Sequence, residues 1–454
     1  MIFRGRKFCI KTLVLLEFLT LWTFKKSIIM TEEFLHYIWQ YRLFDKSIET
    51  IAGQEIFVVH PGFKNNDAGP DFFQSRIKIG DTLWAGNVEI HNKASDWYVH
   101  QHQNDAAYSN IILHVVYEND QQVFDRNGQP VATLELNGKF SSRIFNRYQA
   151  FLYNKSWIPC NTDVSTVDSL IWQSWLERLV VERIERKSSE IKRLLKINLN
   201  DWEETFYQVL AGSFGFKVNE QPFLLLAKSL PLSVLGKHKD NLFQLEALFF
   251  GQAGLLQNDF PDEYPQLLNK EYDFLRKKFS LSPIQSHLWK FLRLRPSNFP
   301  TIRISQFAAL IHQSQNLFSK ILSCKTSDEV VSMFELKASD YWETHYVFGK
   351  PAPKKTKRFG DSATQTMIIN TVVHFLFLFG NEKGNIYSKD RAIEFLTSLP
   401  PEENNIILGF EKLGIKAQNA FESQALIELK NKYCALKKCL HCRVGLSLLR
   451  KDSF

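Results

Sequence analysis

Cysteine and long apolar segments are both scarce in this sequence of 454 residues. It contains only six cysteines, and beyond residue 29 we expect no segment apolar enough to span a bilayer. Neither a disulfide-stabilised scaffold nor a stable membrane association is therefore expected. The sequence shows no repeat of fixed period, which argues against a solenoid. We predict a cytoplasmic protein.

Residues 1–29 need separate treatment. A basic stretch beginning at Arg4 precedes the apolar segment Ile10–Phe24, the order found in signal peptides. No small-residue cleavage site follows, and a segment of about fifteen residues interrupted by Glu17 is short for a membrane span. Three interpretations stay open: an extension upstream of a true start at Met30, a signal or anchor, or a helix of the fold. The first is our leading hypothesis.

The length of the chain and the change in its texture near Pro159 predict two domains. Residues 30–155 are predicted to form an α+β domain, because β-branched segments alternate there with Gly and Asp turns. Residues 160–454 carry helical periodicity and are predicted to be all-α. The predicted strands are Glu55–His60, Ser75–Ile79, Thr82–His91 and Asn110–Tyr117.

Candidate ligands are concentrated between Asn66 and Glu118. Alternation along the strand Thr82–His91 places Glu89 and His91 on one face. Asp71 stands at the entrance to the preceding strand, so a hairpin would bring its carboxylate close to Glu89. Two carboxylates form an oxygen-rich site suited to Mg²⁺ or Mn²⁺. We therefore predict that Asp71 and Glu89 bind the metal, and that His91 positions or deprotonates a water.

Two further histidines, His100 and His102, follow at a spacing of two. Their imidazoles share a face if the segment is extended, and diverge if it is helical. We expect them to assist at the metal or at a phosphate. His114 lies on an apolar strand and is expected to be a core histidine.

A second candidate site is the group Cys434, Cys439 and Cys442, with Cys160 as the preferred fourth ligand. Thiols at this spacing favour Zn²⁺ or an iron–sulfur cluster. Cys324 and His441 are alternative fourth ligands, and buried reduced thiols are the alternative to a metal site.

A basic, proline-containing loop lies within the helical domain. Its positive charges would contact the phosphates of a nucleic acid without base specificity, unless the loop is only a solvated surface. The residues are Lys350, Lys354, Lys355, Lys357 and Arg358.

Two resemblances follow from these motifs. Gly-Pro-Asp71-Phe, a strand, and then Val-Glu89-Ile-His91 resemble the PD-(D/E)xK restriction-endonuclease-like superfamily, which implies a mixed sheet with flanking helices and a metal-dependent nuclease. His91 stands where that pattern has lysine, and Lys78 and Lys93 are nearby alternatives. Trp97-x-x-His100-x-His102 is similar to very-short-patch repair endonucleases, and the distant-plus-clustered cysteines resemble the iron–sulfur sites of some exonucleases.

The chain as a whole resembles the bacterial domain of unknown function 2851 family. The similarity rests on Met30-Thr-Glu-Glu-Phe-Leu-His-Tyr-Ile-Trp, Asn66-Asp-Ala-Gly-Pro-Asp-Phe, Gly86-Asn-Val-Glu-Ile-His and Cys439-Leu-His-Cys-Arg-Val-Gly. The family name supplies no activity. We predict a metal-dependent phosphodiesterase acting on DNA or RNA. The alternatives are a non-catalytic nucleic-acid-binding or assembly protein, and a cupin-like or other small-substrate metalloenzyme.

Overall fold

The structure is a computed structural model that describes residues 30–314 and 316–451. The proposed signal, anchor or extension before Met30 lies outside the described residues. The chain divides into two units: one holds the residues up to Asn154 together with those from Cys439 onward, and the other holds Lys155–Lys438. The division lies close to the predicted boundary, but the carboxy-terminal residues, which we assigned to the helical domain, belong to the first unit.

The first unit contains a seven-stranded mixed sheet. Its strands are β1 (Ile48–Glu49), β2 (Glu55–His60), β3 (Phe63–Lys64), β4 (Phe72–Ile79), β5 (Thr82–Lys93), β6 (Ile111–Glu118) and β7 (Thr133–Glu135). The spatial order is β1-β2-β4-β5-β6-β7, with β3 paired to β4. The pairs among β1 to β5 are antiparallel, whereas β5–β6 and β6–β7 are parallel. This mixed sheet confirms the α+β prediction for the unit.

Side-chain alternation explains how β4 and β5 sit in the sheet. Along β4, buried Ile77 and Ile79 alternate with exposed Arg76 and Lys78, so this part of the sheet faces solvent on one side. In its second half β5 is buried on both faces from Val88 to His91. The sheet is therefore open at one end and covered at the other.

Helices enclose the covered end of the first unit. Helix α1 (Glu32–Gln40) begins at Thr31, whose side chain accepts a hydrogen bond from the Phe34 backbone N–H. The Phe34 ring stacks on Tyr148 of the helix Ser142–Tyr153 with centroids 5.1 Å apart. The helix Arg443–Arg450 returns to this unit, where the Leu448 carbonyl accepts a 2.7 Å hydrogen bond from Arg147.

The connection between β5 and β6 crosses one face of the sheet, because parallel strands cannot be joined by a tight turn. It contains the short helix α2 (Asp96–Val99) and the 3₁₀ turns His102–Asn104 and Ala106–Tyr108. Trp97 anchors it in a core cluster with Ala94, Val116 and Val123. This crossover carries His100 and His102, so it determines where those imidazoles lie.

The second unit is mainly helical, as predicted, with one small two-stranded hairpin, His345–Val347 with Lys350–Pro351. Its helices of eight residues or more are Ser169–Ile197, Trp202–Phe214, Phe216–Ser229, Leu242–Gln252, Glu263–Phe279, Pro300–Gln313, Val373–Lys383, Ile386–Ser398 and Ala420–Glu428. Shorter helices are Leu232–Leu235, Leu317–Ser323, Ser327–Ser332, Asp361–Met367 and Asn405–Glu411.

One helical stretch among the described residues, Asp361–Lys383, is long and apolar enough to cross a membrane. The expectation that no segment beyond residue 29 has this composition was therefore wrong. In its most apolar window 78% is buried inside the protein, as in a core helix. The stretch is interrupted by a π-helical segment at Ile368–Val372.

The second unit buries His374, and this burial predicts a pH dependence of stability. Burial, followed by the charges of Arg183, Lys187 and Arg186, lowers the pKa of His374 to about 3. The unfolded chain takes up a proton near pH 6.5 that the folded chain does not bind, so stability is fully present above pH 6.5 and falls as the pH drops towards 3. The loss at this residue is about 2 kcal/mol between pH 7 and 5.

We expect urea unfolding of His374→Gln to show a shallower loss of stability between pH 7 and 5 than the wild type. His287 is exposed, so His287→Gln serves as the control and should keep the wild-type slope. Equal slopes for all three proteins would contradict the assignment.

Candidate metal centre

The junction between Asp71 and β5 joins the two predicted carboxylates. The backbone N–H of Asp71 donates to Glu89 Oε2 at 3.1 Å, and the backbone N–H of Ile90 donates to Asp71 Oδ2 at 2.9 Å. These two hydrogen bonds place Asp71 beside Glu89, at the point where β4 begins. The structure thus brings together the pair that the hairpin argument predicted.

Glu89 points into a group of imidazoles. Its Oε1 atom lies 3.1 Å from His102 Nε2 and 3.5 Å from His91 Nε2. Burial raises the pKa of the Glu89 carboxyl, opposed by the contact with His102. The contact with His102 is close, but its geometry is not that of a hydrogen bond. The buried Nε2 atom of His102 is therefore left without a hydrogen-bond partner. A polar atom left in this way inside a ligand cluster is consistent with a site for a cation.

Three imidazoles converge beside this carboxylate. One ring nitrogen from each of His91, His100 and His102 lies within 4.8 Å of the other two. His91 Nε2 and His100 Nδ1 are 3.1 Å apart, and the His91 and His102 rings stack with centroids 5.2 Å apart. His91 and His102 are buried while His100 is exposed, so the cluster opens to solvent at His100.

A left-handed residue makes this convergence possible. His100 ends helix α2, His102 begins a 3₁₀ turn, and Gln101 between them has φ 60° and ψ 31°. Neither the extended nor the helical alternative considered for this segment applies. The sharp turn at Gln101 directs both imidazoles towards His91, and its backbone strain is of the kind found at functional sites.

Aromatic side chains and His114 hold the cluster in place. His114 Nε2 lies 2.8 Å from His91 Nδ1, and the Tyr108 ring stacks on His102 with centroids 3.8 Å apart. Burial lowers the pKa of His91 to about 2 and that of His114 to about 3. Both rings are therefore neutral near pH 7, the form in which imidazole binds metals. His114 lies in the core, as expected, and it also orients His91.

The sequence analysis did not identify the contribution of helix α1. His36 Nε2 lies 3.2 Å from Asp71 Oδ2. Glu32 lies near the same carboxylate, and its pKa is raised by burial first and by the charge of Asp71 second. Glu32 and His36 are four residues apart, which places them on one face of a helix. That spacing within the amino-terminal family motif was the available signal.

The donor set differs from the expected oxygen-rich site. Mg²⁺ prefers oxygen ligands, whereas three imidazoles and one carboxylate suit Zn²⁺, Fe²⁺ or Mn²⁺. Asp71 Oδ2 already accepts a hydrogen bond and lies beside His36. The residues present therefore fit a divalent transition metal held by His91, His100, His102 and Glu89, with Asp71 beside them.

The cysteine site stays a prediction. Cys160, Cys439 and Cys442 are each no more than 7% exposed, and Cys434 is half-buried. The two alternative fourth ligands have other contacts: Cys324 Sγ donates to the Lys320 carbonyl, and His441 Nε2 lies 2.8 Å from Glu33 Oε1.

Four of the five basic side chains predicted to contact phosphate in the basic loop are exposed. Lys350, Lys354, Lys355 and Arg358 are exposed. Lys357 is 5% exposed, and its Nζ donates to the Glu343 carbonyl at 2.8 Å. The prediction that Lys357 contacts phosphate was wrong, because the hairpin and Glu343 bury its side chain.

The turn at Gln101 generates a prediction for metal affinity. A β-branched residue is strained in the left-handed region, at a cost of about 1–3 kcal/mol. We therefore expect Gln101→Val to weaken Zn²⁺ or Mn²⁺ binding about tenfold or more by isothermal titration calorimetry, while Gln101→Gly retains it. Ser280, left-handed at φ 52° in the second unit, supplies the control, since Ser280→Val should leave metal affinity unchanged. Unaltered affinity in Gln101→Val would argue against the site.

The cysteine prediction is tested by elemental analysis of the purified protein. We expect Cys439→Ser to contain less bound zinc or iron than the wild type, whereas Cys324→Ser keeps the wild-type content. Equal metal content in both variants would exclude Cys439 as a ligand.

Comparison with known proteins yields a family but no described relative. No curated protein and no solved structure matches the chain significantly. The family model described as "Protein of unknown function (DUF2851)" matches residues 32–405. The matched range covers the Asp71–Glu89 junction and all three imidazoles of the cluster, and it ends before Cys434. Because the match spans most of the sequence, the chain belongs to the DUF2851 family.

Proposed function

We propose that the protein is a metal-dependent phosphodiesterase acting on nucleic acid, with a divalent transition metal in the first unit. The observation that carries the proposal is the convergence of His91, His100 and His102, within 4.8 Å of one another, on the buried carboxylate of Glu89. A bound cation would lower the pKa of a coordinated water and neutralise charge on a phosphoryl oxygen.

The roles that we assign to the side chains differ from those in the nuclease pattern. His91 is 1% exposed, and both of its ring nitrogens face other histidines. A ring enclosed in this way holds a cation but cannot exchange a proton with solvent, so we assign His91 as a ligand rather than as a base. Asp71 and His36, both partly exposed, are the groups placed to accept or relay a proton.

Neither Lys78 nor Lys93 takes the place of the lysine in the nuclease pattern. Lys78 lies 4.0 Å from Asp81, and Lys93 lies 3.8 Å from Glu118. Both ammonium groups are about half exposed and are paired away from Glu89. The positive charge of the centre would therefore come from the metal itself, held by neutral imidazoles.

The topology supports a nuclease-like core. The acid precedes one strand, the Glu-x-His motif lies on its antiparallel neighbour, and the next strand is parallel to the second. We keep the restriction-endonuclease-like fold as part of the proposal, together with nucleic acid as the partner and the cytoplasm as the location.

A second candidate function is a small-substrate metalloenzyme of cupin-like or other type. The specific observation in its favour is the donor set, because three imidazoles and one carboxylate also serve hydrolases and oxygenases of small molecules. A non-catalytic nucleic-acid-binding protein is the remaining alternative, and it is favoured by the histidine in the lysine position.

Cleavage assays test the proposal directly. We expect wild-type protein with Mn²⁺ or Zn²⁺ to cleave mixed DNA and RNA substrates, with little activity in EDTA. His100→Ala should reduce the rate at least 10- to 100-fold, by the measure of losses at metal sites, without harming the fold, because His100 is exposed. His287→Ala provides the matched control.

The outcome also separates the alternatives. Asp71→Asn keeps an oxygen for the Ile90 N–H but removes the charge beside His36, so it should reduce turnover more than metal affinity. Metal binding without cleavage of any nucleic acid would favour the small-substrate enzyme. Nucleic-acid affinity with no metal-dependent cleavage would favour the binding protein.

A further inference from the structure

The exposed end of the sheet presents an unusual combination of side chains on one face. The register aligns Phe57 with Lys78 and Lys78 with Leu83, so these three share a face. In the next row Arg76 pairs with Ala85. The opposite face is buried through Ile56, Val58, Ile77 and Ile79. Phe63 of β3 lines one depression together with Arg76 and Ala85. We therefore define the exposed face as a platform of Phe57, Phe63, Arg76, Lys78 and Leu83.

Aromatic rings on this platform are open to solvent. Phe57 is 64% exposed and Phe63 is 63% exposed. The fold does not need apolar side chains at such exposed positions of β2 and β3. Two cations, Arg76 and Lys78, lie on β4 beside them. The acids near this face are Asp81, which lies 4.0 Å from Lys78, and the cross-strand pair Glu49 and Glu55 at the end away from Glu89.

The face of β5 that carries the platform continues along the strand towards the metal centre. Ala85, Asn87, Glu89 and His91 are alternate residues and therefore share one face, with about 7 Å between successive members. A depression of about 700 Å³ lies beside the platform. Its polar lining includes His60, Gln74, Arg76, Asn87 and Asn110. A chain lying on the platform would thus extend along β5 as far as Asn87, next to the covered stretch that holds Glu89.

This combination has the chemistry of a single-stranded nucleic-acid surface. Exposed aromatic rings stack on unpaired bases, with about 1–3 kcal/mol per base, and cations contact the phosphates. Amides in the depression would bond sugar or base edges. Paired bases in a duplex have their faces covered by neighbours, so Phe57 and Phe63 cannot stack on them.

We propose that this sheet face binds a single-stranded nucleic acid and delivers its backbone to the metal centre. Delivery for cleavage rests on the proposed phosphodiesterase function, whereas strand binding does not. The phosphates follow Arg76 and Lys78, and the bases stack on Phe57 and Phe63.

The test is fluorescence anisotropy of the full-length protein with labelled 12-nucleotide single-stranded DNA and RNA, and with a hairpin duplex, in EDTA. We expect preference for the single strands. Phe57→Ala and Phe63→Ala should each weaken single-strand binding about tenfold, and Arg76→Ala with Lys78→Ala should reduce the salt dependence of binding. Phe57→Trp should retain affinity, because it keeps a stacking surface.

Matched controls are Phe274→Ala, at 62% exposure in the second unit, and Lys46→Ala, exposed in the first. Both should bind like wild type. Tighter binding of the duplex, absence of binding to single strands, or unchanged affinity in both phenylalanine variants would overturn the inference.

The metal-ligand variant separates this inference from the proposed function. If His100→Ala binds single strands with wild-type affinity, the platform is supported, even if neither the wild type nor the variant cleaves nucleic acid. Cleavage that proceeds unchanged in the Phe57→Ala and Phe63→Ala variants overturns the platform and leaves the phosphodiesterase proposal standing.

Discussion

The two hydrogen bonds that join Asp71 to Glu89 and Ile90 are the contact on which the first unit's site depends. They pair the carboxylate-bearing entrance of β4 with the middle of β5 and use one oxygen of each acid. The other oxygen of Glu89 is thereby directed at the imidazoles. A buried carboxylate is costly unless its oxygens are satisfied, so this arrangement needs the histidines, and a cation would complete it.

Burial also decides the chemistry of the histidines. Burial disfavours the protonated form of an imidazole, whereas an imidazole in water is partly protonated near neutral pH. His91 and His114 are therefore neutral, as their lowered pKa values show. In the proposed nuclease, the position of the pattern's charged lysine would be held by an uncharged imidazole. A cation at this centre would then be bound mainly by imidazoles rather than by the oxygen ligands that Mg²⁺ prefers.

The fold was predictable where local pattern and burial agree. The strand Glu55–His60 has the predicted bounds, and the second unit is mainly helical as predicted, because alternation and helical period depend only on neighbouring residues. Patterns were insufficient where distant segments meet. The return of residues from Cys439 onward to the first unit has no local signal. Lys357 was misplaced for the same reason, since the carbonyl that binds it belongs to Glu343.

The sequence by itself determined that Glu89 and His91 share a face and that Asp71 lies near them, because strand alternation and a short hairpin connection allow little else. Only the tertiary structure decided that His100 and His102 complete the cluster. Their approach to His91 requires a crossover between two parallel strands and a left-handed turn at Gln101. Glutamine carries no strong preference for that conformation, and the packing of Trp97 and Tyr108 around the histidines imposes it.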